Sequence, residues 1–160
     1  MNIRRRELLA AAGLALLAGC ASAPPSAHDA PHWSGRLALT VQTEPPQSWS
    51  AAFDLQGDAR QGRLQLSTPL GNTLATVTWH PDGAELIQGA QRQRYPSVEA
   101  LTGQLMGTAL PMAAWFDWLA GQPTAVSGWQ ADLSRLPQGR FTARRLPPDV
   151  EAELRVVLDP

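Results

Sequence analysis

The sequence predicts a mainly β domain, built from antiparallel hairpins with one helical insertion. Apolar and polar residues alternate with a period of two in several short runs after residue 33, and the runs are separated by Pro, Gly and Asp. Between residues 97 and 121 the apolar spacing changes to that of a helix. A sheet of this kind can curl around its helices and form a half-closed barrel with an apolar interior that is rich in Trp.

The first part of the predicted sheet is a meander of short hairpins. In the first run Leu37, Leu39 and Val41 share one face, and Arg36 lies on the other. The sequence His-Pro-Asp-Gly at residues 80–83 predicts a tight turn, because Pro pre-sets φ at the second position of the turn. The strand-like runs lie at residues 33–41, 49–56, 63–67, 74–79 and 84–95, the last with one or two strands around Gly89.

Two helices are predicted to interrupt this meander. Ser97 can cap the first helix, and Glu99 in its first turn suits the positive helix end. Pro111 suits the first turn of the second helix, and Gly121 fits the position after its end. The apolar stripes of the two helices are Val98, Leu101 and Leu105, then Met112, Trp115, Phe116 and Leu119. Strands are predicted to resume at residues 126–133, 140–146 and 150–158.

The N-terminal segment has the features of an export signal. Residues 4–6 are all Arg, residues 8–18 are apolar but too few to span a bilayer, and residues 17–20 read Leu-Ala-Gly-Cys. This segment resembles a bacterial lipoprotein signal, which implies cleavage before Cys20 and a lipid on that Cys. By the same resemblance, Ala21 favours the outer membrane over retention at the inner one. An ordinary secretory signal, or a buried helix with a chance Cys, is the alternative.

These features divide the chain into three parts. Residues 1–19 are predicted to be the signal peptide, and residues 20–32 the lipidated Cys with a flexible tether rich in Pro and Ala. A flexible tether of this length has a reach of roughly 20 Å. Residues 33–160 are predicted to form one half-barrel domain.

Charge and composition argue against several classes of protein. The chain has a formal charge of −1, and the residues after Cys20 carry 10 Arg against 13 Asp and Glu, a net charge of −3. There is no Lys and no basic stripe, so the sequence argues against nucleic acid as a partner and against charge-driven docking on anionic lipid. Because Cys20 is the only Cys, no disulfide can form within one chain.

No residues have the spacing of a catalytic or metal site. His28 and His32 lie in the predicted tether, and His80 precedes the Pro of a turn. Asp54 and Asp58 lie near a predicted turn, where Asp is usually solvated, and they lack a partner for acid–base chemistry. The sequence therefore predicts no enzyme, no bound metal and no cofactor.

Several segments resemble the LolB family of outer-membrane lipoproteins. Residues 64–73 (Leu-Gln-Leu-Ser-Thr-Pro-Leu-Gly-Asn-Thr) match the family's strand, Pro-Leu-Gly loop and next strand. Residues 107–111 (Gly-Thr-Ala-Leu-Pro) and 118–123 (Trp-Leu-Ala-Gly-Gln-Pro) are similar to the two ends of its second helix, and residues 35–38 (Gly-Arg-Leu-Ala) to its first strand. The resemblance covers most of residues 33–158.

The resemblance implies an unclosed antiparallel β-barrel, covered by helices that act as a lid. The family has a longer helical segment before its first strand, whereas here only Pro31, His32 and Trp33 stand before the strand-like run that begins around Gly35. The stretch after Pro123 also lacks a hairpin that the family has. We therefore expect fewer strands than usual, in a lipid-binding half-barrel.

By resemblance, the protein receives other lipoproteins from a periplasmic carrier of the LolA type and inserts them into the outer membrane. The acyl chains of these client lipoproteins, palmitate among them, would lie in an apolar cavity. The protein is expected to be a monomer, lipid-anchored on the periplasmic face, and to work without ATP, since no nucleotide site is visible. Two alternatives stay open: an outer-membrane lipoprotein that scaffolds an envelope assembly machine, and an envelope hydrolase.

The resemblance also implies two kinds of site residue. Leu70 corresponds to the protruding Leu of the family's loop, which helps to push the received lipoprotein into the membrane; the alternative is a single exposed Leu without a role. The alternative for the apolar interior is an ordinary dry core. The residues expected to line the cavity are Phe53, Leu66, Trp79, Trp115 and Trp118.

Overall fold

The computed structural model describes residues 30–160, which form one antiparallel sheet of nine strands with two helices inserted in it. The predicted signal peptide, Cys20 and most of the predicted tether lie outside the described residues. The first strands are β1 (His32–Val41), β2 (Gln47–Gly57), β3 (Gly62–Ser67), β4 (Thr73–His80), β5 (Gly83–Gln88) and β6 (Gln91–Tyr95). The helices α1 (Val98–Met106) and α2 (Met112–Leu119) follow, and then β7 (Trp129–Asp132), a short 3₁₀ helix (Leu136–Gln138), β8 (Arg140–Arg145) and β9 (Ala152–Leu158).

The order of strands across the sheet is β6-β5-β4-β3-β2-β1-β9-β8-β7. Strands that follow one another in the chain pair antiparallel, except β6 and β7, and the last strand, β9, also pairs with β1. Within the described residues β6 and β7 are the two edges and do not pair with each other, so the barrel is unclosed. The predicted fold class, a mainly β half-barrel with a helical insertion, is confirmed.

The register of the strands collects their apolar residues on one face. Leu39 of β1 lies opposite Trp49 of β2 on one side and Leu154 of β9 on the other. Leu64 lies opposite Leu55 and Val77 in the same way. Because side chains alternate between the two faces of a strand, this register places the apolar residue of each period-two pair on the face that the helices cover.

The ends of the two helices follow the local signals in the sequence. Ser97 caps α1, and its side chain accepts a hydrogen bond from the Ala100 N–H at 3.1 Å. Gly107 ends α1 with φ of +71°, a conformation that Gly adopts without steric cost. Gly121 follows α2 with φ of +81°, as expected. Pro111 lies one position earlier than predicted, before the first residue of α2 rather than within its first turn.

Three strand boundaries differ from the predicted ones. β1 begins one residue early, because the carbonyl of Pro31 already accepts a hydrogen bond from the Gly57 N–H at 3.0 Å. The strand predicted over residues 126–133 shortens to β7, since the chain reverses at Gly128, where φ is +78°. β9 begins at Ala152, two residues late, after the irregular segment that contains Pro147 and Pro148.

Candidate functional site

An apolar cavity of about 560 Å³ lies between the sheet and the two helices. This volume falls within the range of about 300–1,000 Å³ that is typical of ligand sites in proteins. The helices contribute mainly Leu101, Leu105, Met106, Met112 and Trp115 to its wall. The sheet contributes mainly Leu37, Leu39, Leu55, Leu64, Leu66, Val77, Trp79 and Leu86.

Few polar groups border this cavity. They belong to Ser48, Ser50, Gln88 and Thr102. The Thr102 hydroxyl is already engaged, because it donates to the Glu99 carbonyl at 3.1 Å and accepts from the Leu110 N–H at 3.0 Å. No charged side chain of the described residues borders the cavity. Such a site suits a hydrocarbon guest and disfavours an ionised one, which would lose its hydration without a counter-charge.

The five residues predicted to line the cavity divide into two groups. Leu66, Trp79 and Trp115 border it. Phe53 and Trp118 do not: both are buried in the packed part of the interior, Phe53 at 3% exposure and Trp118 at 1%.

Phe53 and Trp118 both lie on the covered side of the sheet or helix that carries them, but other residues separate them from the cavity. Phe53 lies on the helix-covered face of β2, in line with Ala51 and Leu55, which do border the cavity. The indole of Trp118 lies close to Trp129, with the ring centroids 6.3 Å apart, and its N–H donates to the Thr124 carbonyl at 3.0 Å. Alternation along a strand or helix therefore identified the face correctly, but not which residues on it are covered by neighbours.

Leu70 lies at the tip of the loop between β3 and β4, and it is 90% exposed. The loop is held by its own hydrogen bonds, from the Gly71 N–H to the Thr68 carbonyl and from the Thr68 N–H to the Asn72 carbonyl, both at 2.9 Å. Pro69 and Gly71, the latter with φ of +85°, complete a tight turn around Leu70. The side chain is thus presented to solvent by a turn whose backbone is fixed.

Exposed apolar residues also surround the opening of the cavity. Trp49 is 37% exposed, Leu74 46% and Leu105 39%, and all three border the cavity. Trp49 lies near the start of β2 and Leu74 near the start of β4, so antiparallel pairing places both at the end of the sheet that carries the Leu70 loop. The sequence analysis did not identify this rim. Period-two alternation predicts on which face of the sheet a side chain lies, but not how much of that side chain is exposed to solvent.

Charged residues are absent from the segments that form this region. Residues 64–79, which include the Leu70 loop, contain no Asp, Glu, Lys or Arg, and the same is true of residues 100–116, which form most of the two helices. Charged residues do occur in other connections at this end of the sheet: Glu44 lies between β1 and β2, and Asp149 and Glu151 lie between β8 and β9. The uncharged region is therefore confined to the Leu70 loop with its flanking strands and to most of the two helices.

The carboxylates considered for acid–base chemistry are engaged in local contacts. Asp58 accepts hydrogen bonds from the backbone N–H groups of Arg60 and Gln61 at 2.7 and 2.9 Å, which stabilises the β2–β3 turn. Asp54 lies 2.8 Å from the exposed ring of His32. Within residues 30–160 there is no group of three or more His, Cys, Asp and Glu side chains that could hold a metal ion.

No helix of the part described is long and apolar enough to cross a membrane. An unclosed antiparallel barrel, with two helices over an apolar cavity, defines the chain as a half-barrel domain of the LolA and LolB type. Comparison with known proteins shows to which family within this class the chain is similar.

The family model described as outer membrane lipoprotein LolB matches residues 31–147. The chain is 36% identical to the outer-membrane lipoprotein LolB of Cupriavidus pinatubonensis over 147 residues, which cover 86% of this chain and 70% of that protein. It is 37% identical to the LolB of Chromobacterium violaceum over 128 residues, 74% of this chain and 69% of that protein. Identity to the LolB of an Azoarcus species is 29%, over 99% and 97% of the two chains.

The chain therefore belongs to the LolB family. This confirms the family to which its segments were assigned by resemblance. As a member of that family it is a lipid-anchored lipoprotein of the outer membrane.

Proposed function

We propose that this protein accepts lipoproteins from a periplasmic carrier of the LolA type and inserts them into the outer membrane, holding their acyl chains in the cavity between sheet and helices. The observation that carries the proposal is the uncharged, largely aliphatic wall of that cavity. In this account the protein acts as a carrier of lipid-modified clients, as a monomer and without catalytic chemistry of its own.

The energetics of acyl transfer require such a container. Exposing a long acyl chain to water costs on the order of 10 kcal/mol, at about 0.8 kcal/mol for each methylene group. A cavity under helices that rest on the sheet through apolar contacts can take up the chain without that cost. Transfer then runs downhill, from carrier to cavity to bilayer, and needs no nucleotide.

Leu66, Trp79 and Trp115 are the proposed acyl-contacting residues among those predicted, since all three border the cavity. Leu70 is the proposed membrane-inserting residue. Its exposure, the hydrogen-bonded turn that carries it, and the exposed Trp49 and Leu74 at the same end of the sheet support this role. An apolar side chain in a loop without charged residues enters the acyl region of a bilayer without desolvating a charge.

The remaining parts of the proposal concern the N-terminal segment, outside the described residues. Residues 1–19 are removed as a signal peptide, Cys20 carries the lipid, and the tether that follows holds the domain at the periplasmic face of the outer membrane. β1 begins at His32, so the tether joins the domain at the end of the sheet opposite to Leu70.

Native mass spectrometry of the Cys20→Ala protein, after incubation with a carrier of the LolA type loaded with lipoprotein, tests the proposal. We expect a complex between this protein and the lipoprotein, with free carrier released. A scaffold for an envelope assembly machine would show neither lipoprotein nor co-purified acyl chains, and that result would overturn the proposal.

A further inference from the structure

Seven large apolar side chains of residues 30–160 are exposed to solvent, and most of them lie at one end of the sheet. A single exposed apolar residue is common and needs no explanation, but a shared location is informative. Leu105 and Val157 lie elsewhere, on α1 and within β9. The other five are in strand ends or connections at the end that carries the Leu70 loop: Trp49, Leu70, Leu74, Leu146 and Val150.

Leu146 and Val150 belong to the connection between β8 and β9 (residues 146–151). Strands β1 and β3 both pair antiparallel with β2, so they run in the same direction and end at the same side. The first residue of β9, Ala152, lies opposite the last residue of β1, Val41. The β8–β9 connection therefore lies at the same end of the sheet as the Leu70 loop, which follows β3.

Both ends of this connection are fixed to other segments. The Leu146 N–H donates to the Gly128 carbonyl at 2.8 Å, and the Glu151 carbonyl accepts from the Gln42 N–H at 2.9 Å. The backbone between them is thus held in place, as it is in the Leu70 loop. Its two apolar side chains are presented to solvent by a connection that is tied to β1 and to the segment before β7.

This connection has few polar groups that would lose hydration in a lipid surface. Pro147 and Pro148 have no N–H, and the N–H of Leu146 is already bonded. The carboxylate of Asp149 accepts a hydrogen bond from Arg145 at 2.8 Å, so its charge is paired. Unpaired polar groups are what makes entry of a loop into an apolar medium unfavourable.

We propose that Leu146 and Val150 form a second contact with the phospholipid surface of the outer membrane, in addition to that of Leu70. This rests on the proposed function and extends its membrane contact to a second loop. The partner is a bilayer because a lipid-anchored protein of the outer membrane always has one within reach. The two apolar side chains and the two prolines between them match the apolar boundary of that bilayer.

The anchor permits this contact although the N-terminal segment joins the other end of the sheet. Twelve peptide steps separate Cys20 from His32, and a chain of that length spans at most about 40 Å. The ten residues of β1 cover about 33 Å. A lipid on Cys20 and the Leu70 end of the sheet can therefore meet the same membrane surface.

Two contacts define an orientation that one contact leaves free. The Leu70 loop and the β8–β9 connection are separated by three to four strand spacings, roughly 15–20 Å. Trp49, which borders the cavity, lies on β2 between them. Contact at both loops would hold this side of the cavity opening toward the bilayer, where the acyl chains are to be delivered.

The first test measures the depth of single positions in a membrane. Cys20 is the only Cys, so in the lipidated protein an introduced Cys is the only free thiol. A nitrobenzoxadiazole fluorophore is attached to the variants Leu70→Cys, Val150→Cys and Val157→Cys, and each protein is reconstituted in vesicles. The vesicles contain phosphatidylethanolamine and phosphatidylcholine, because Glu44 and Glu151 at this end would be repelled by anionic lipid.

Phospholipids with a spin label on the acyl chain should quench the fluorophore at positions 70 and 150 and leave that at position 157 unquenched. Quenching at position 70 but not at 150 would overturn the inference and leave the role of Leu70 intact. Quenching at neither position would overturn the proposed membrane contact of Leu70 as well. Equal quenching at all three positions would show that the two loops are not the contact.

The second test measures function in the double variant Leu146→Gln, Val150→Gln. We expect it to accept lipoprotein from the carrier at the native rate and to insert it into the same vesicles roughly three- to tenfold more slowly, because two half-exposed apolar side chains no longer enter lipid. Val157→Gln is the matched control, since Val157 is 43% exposed and Val150 44%. It should insert lipoprotein at the native rate.

Slower acceptance with normal insertion would assign this connection to contact with the carrier protein and overturn the inference. Equal slowing of insertion by Val157→Gln would overturn it too, because the effect would not depend on the end of the sheet. The labelling measurement alters one exposed side chain at a time and therefore decides the question even if the double variant does not fold.

Discussion

Arg145 of β8 donates a hydrogen bond from Nη1 to the hydroxyl oxygen of Thr108, at 2.7 Å, and thereby joins the sheet to the connection between α1 and α2. Arg145 lies opposite Trp129 and Ala152 in the register, on the helix-covered face. It is the only charged residue at such a position in the strands described. A second bond, from Nη2 to a carboxylate oxygen of Asp149 at 2.8 Å, also engages the guanidinium.

Removing the Thr108 hydroxyl should loosen this connection. Thr108 is 1% exposed, so Thr108→Val keeps its shape but leaves an Arg145 N–H without its acceptor. We expect the free energy of unfolding in urea to fall by about 1–3 kcal/mol, the cost of an unpaired buried donor. Thr124→Val is the control: its hydroxyl bonds to Asp117 on the exposed surface, and its removal should change stability by less than about 0.5 kcal/mol. Equal effects of the two substitutions would show that the Arg145–Thr108 contact does not stabilise the fold.

Filling the cavity should prevent acyl uptake. Ala51 borders the cavity, whereas its neighbour Ala52 lies on the opposite face of β2, across from Arg36 and Ser67. Ala51→Phe should weaken binding of acyl esters by a factor on the order of ten, because the ring occupies the space of several methylene groups. Ala52→Phe adds the same ring outside and should leave affinity unchanged. Both affinities are measured by displacement of an apolar fluorescent probe, N-phenylnaphthylamine, and unchanged binding by Ala51→Phe would place the acyl site elsewhere.

Leu70→Glu should separate reception of a lipoprotein from its delivery. The side chain is 90% exposed, so the free energy of unfolding should change by less than about 0.5 kcal/mol. Transfer from the carrier should proceed, while insertion into vesicles should slow by a factor on the order of ten, as the burial of one Leu side chain in lipid is lost.

Val157→Glu provides the matched control, because Val157 is a partly exposed apolar residue of β9, opposite Arg36 and Arg140. It should insert lipoprotein at the native rate. If the Leu70→Glu variant also inserted lipoprotein at the native rate, Leu70 would not be needed for insertion.

Glu153 should contribute a pH-dependent part of the stability. Its carboxylate accepts a hydrogen bond from Nε of Arg144 at 2.7 Å and also contacts Arg155. The hydrogen bond from Arg144, and to a lesser extent the one from Arg155, holds the pKa of Glu153 below its ordinary value of 4.5. A carboxyl whose pKa is lowered by folding stabilises the folded state above its ordinary pKa, and this contribution disappears as the pH falls through the lowered pKa.

Glu153→Gln should therefore be less stable than the unsubstituted protein at pH 7, by less than about 1 kcal/mol for a pair at the surface. The difference should shrink as the pH is lowered from 4.5, which urea unfolding at several pH values measures. Arg144→Gln should reproduce this pH dependence. Arg36→Gln should not, because Arg36 lies on β1, on the same outer face of the sheet, but makes no ion pair with Glu153. A difference that stays constant with pH would argue against the ion pair.

Replacing the anchor should affect placement and leave acceptance of lipoprotein intact. If Cys20 serves only to carry lipid, the Cys20→Ala protein should accept lipoprotein from the carrier in vitro at a rate close to that of the lipidated form. Its fractionation with the outer membrane should be lost, because the proposed lipid on Cys20 would no longer anchor it there. A Cys20→Ala protein that cannot accept lipoprotein would show that Cys20 takes part in the transfer itself.

Local signals were enough to predict most of the secondary structure. The alternation around Leu37 and Leu39, the Pro-Asp turn after His80, the cap at Ser97 and the Gly at position 121 each act over a few residues, so their effect does not depend on distant partners. The main errors lie where a local signal was weak or was overridden. The reversal at Gly128 shortened the predicted strand there.

The residues of the candidate site could be predicted from such local signals only in part. Leu70 was identified from its loop, and its exposure follows from a turn that the sequence encodes locally. Phe53 and Trp118 have the same apolar character as Leu66 and Trp115, and no pattern along the chain separates the two pairs. Their separation depends on which neighbours cover each residue, and thus on the packing of elements distant in sequence.

The sequence by itself determined that this chain is an antiparallel half-barrel with an inserted helical pair, because period and turn chemistry are properties of neighbouring residues. Only the tertiary structure decided that the helices leave space above the sheet, that Arg145 reaches Thr108, and that the N–H of Trp115 has no partner within the described chain. Each of these depends on where two or more remote segments come to lie. A cavity is the space that such segments leave between them, so its volume cannot be predicted from any single stretch of the chain.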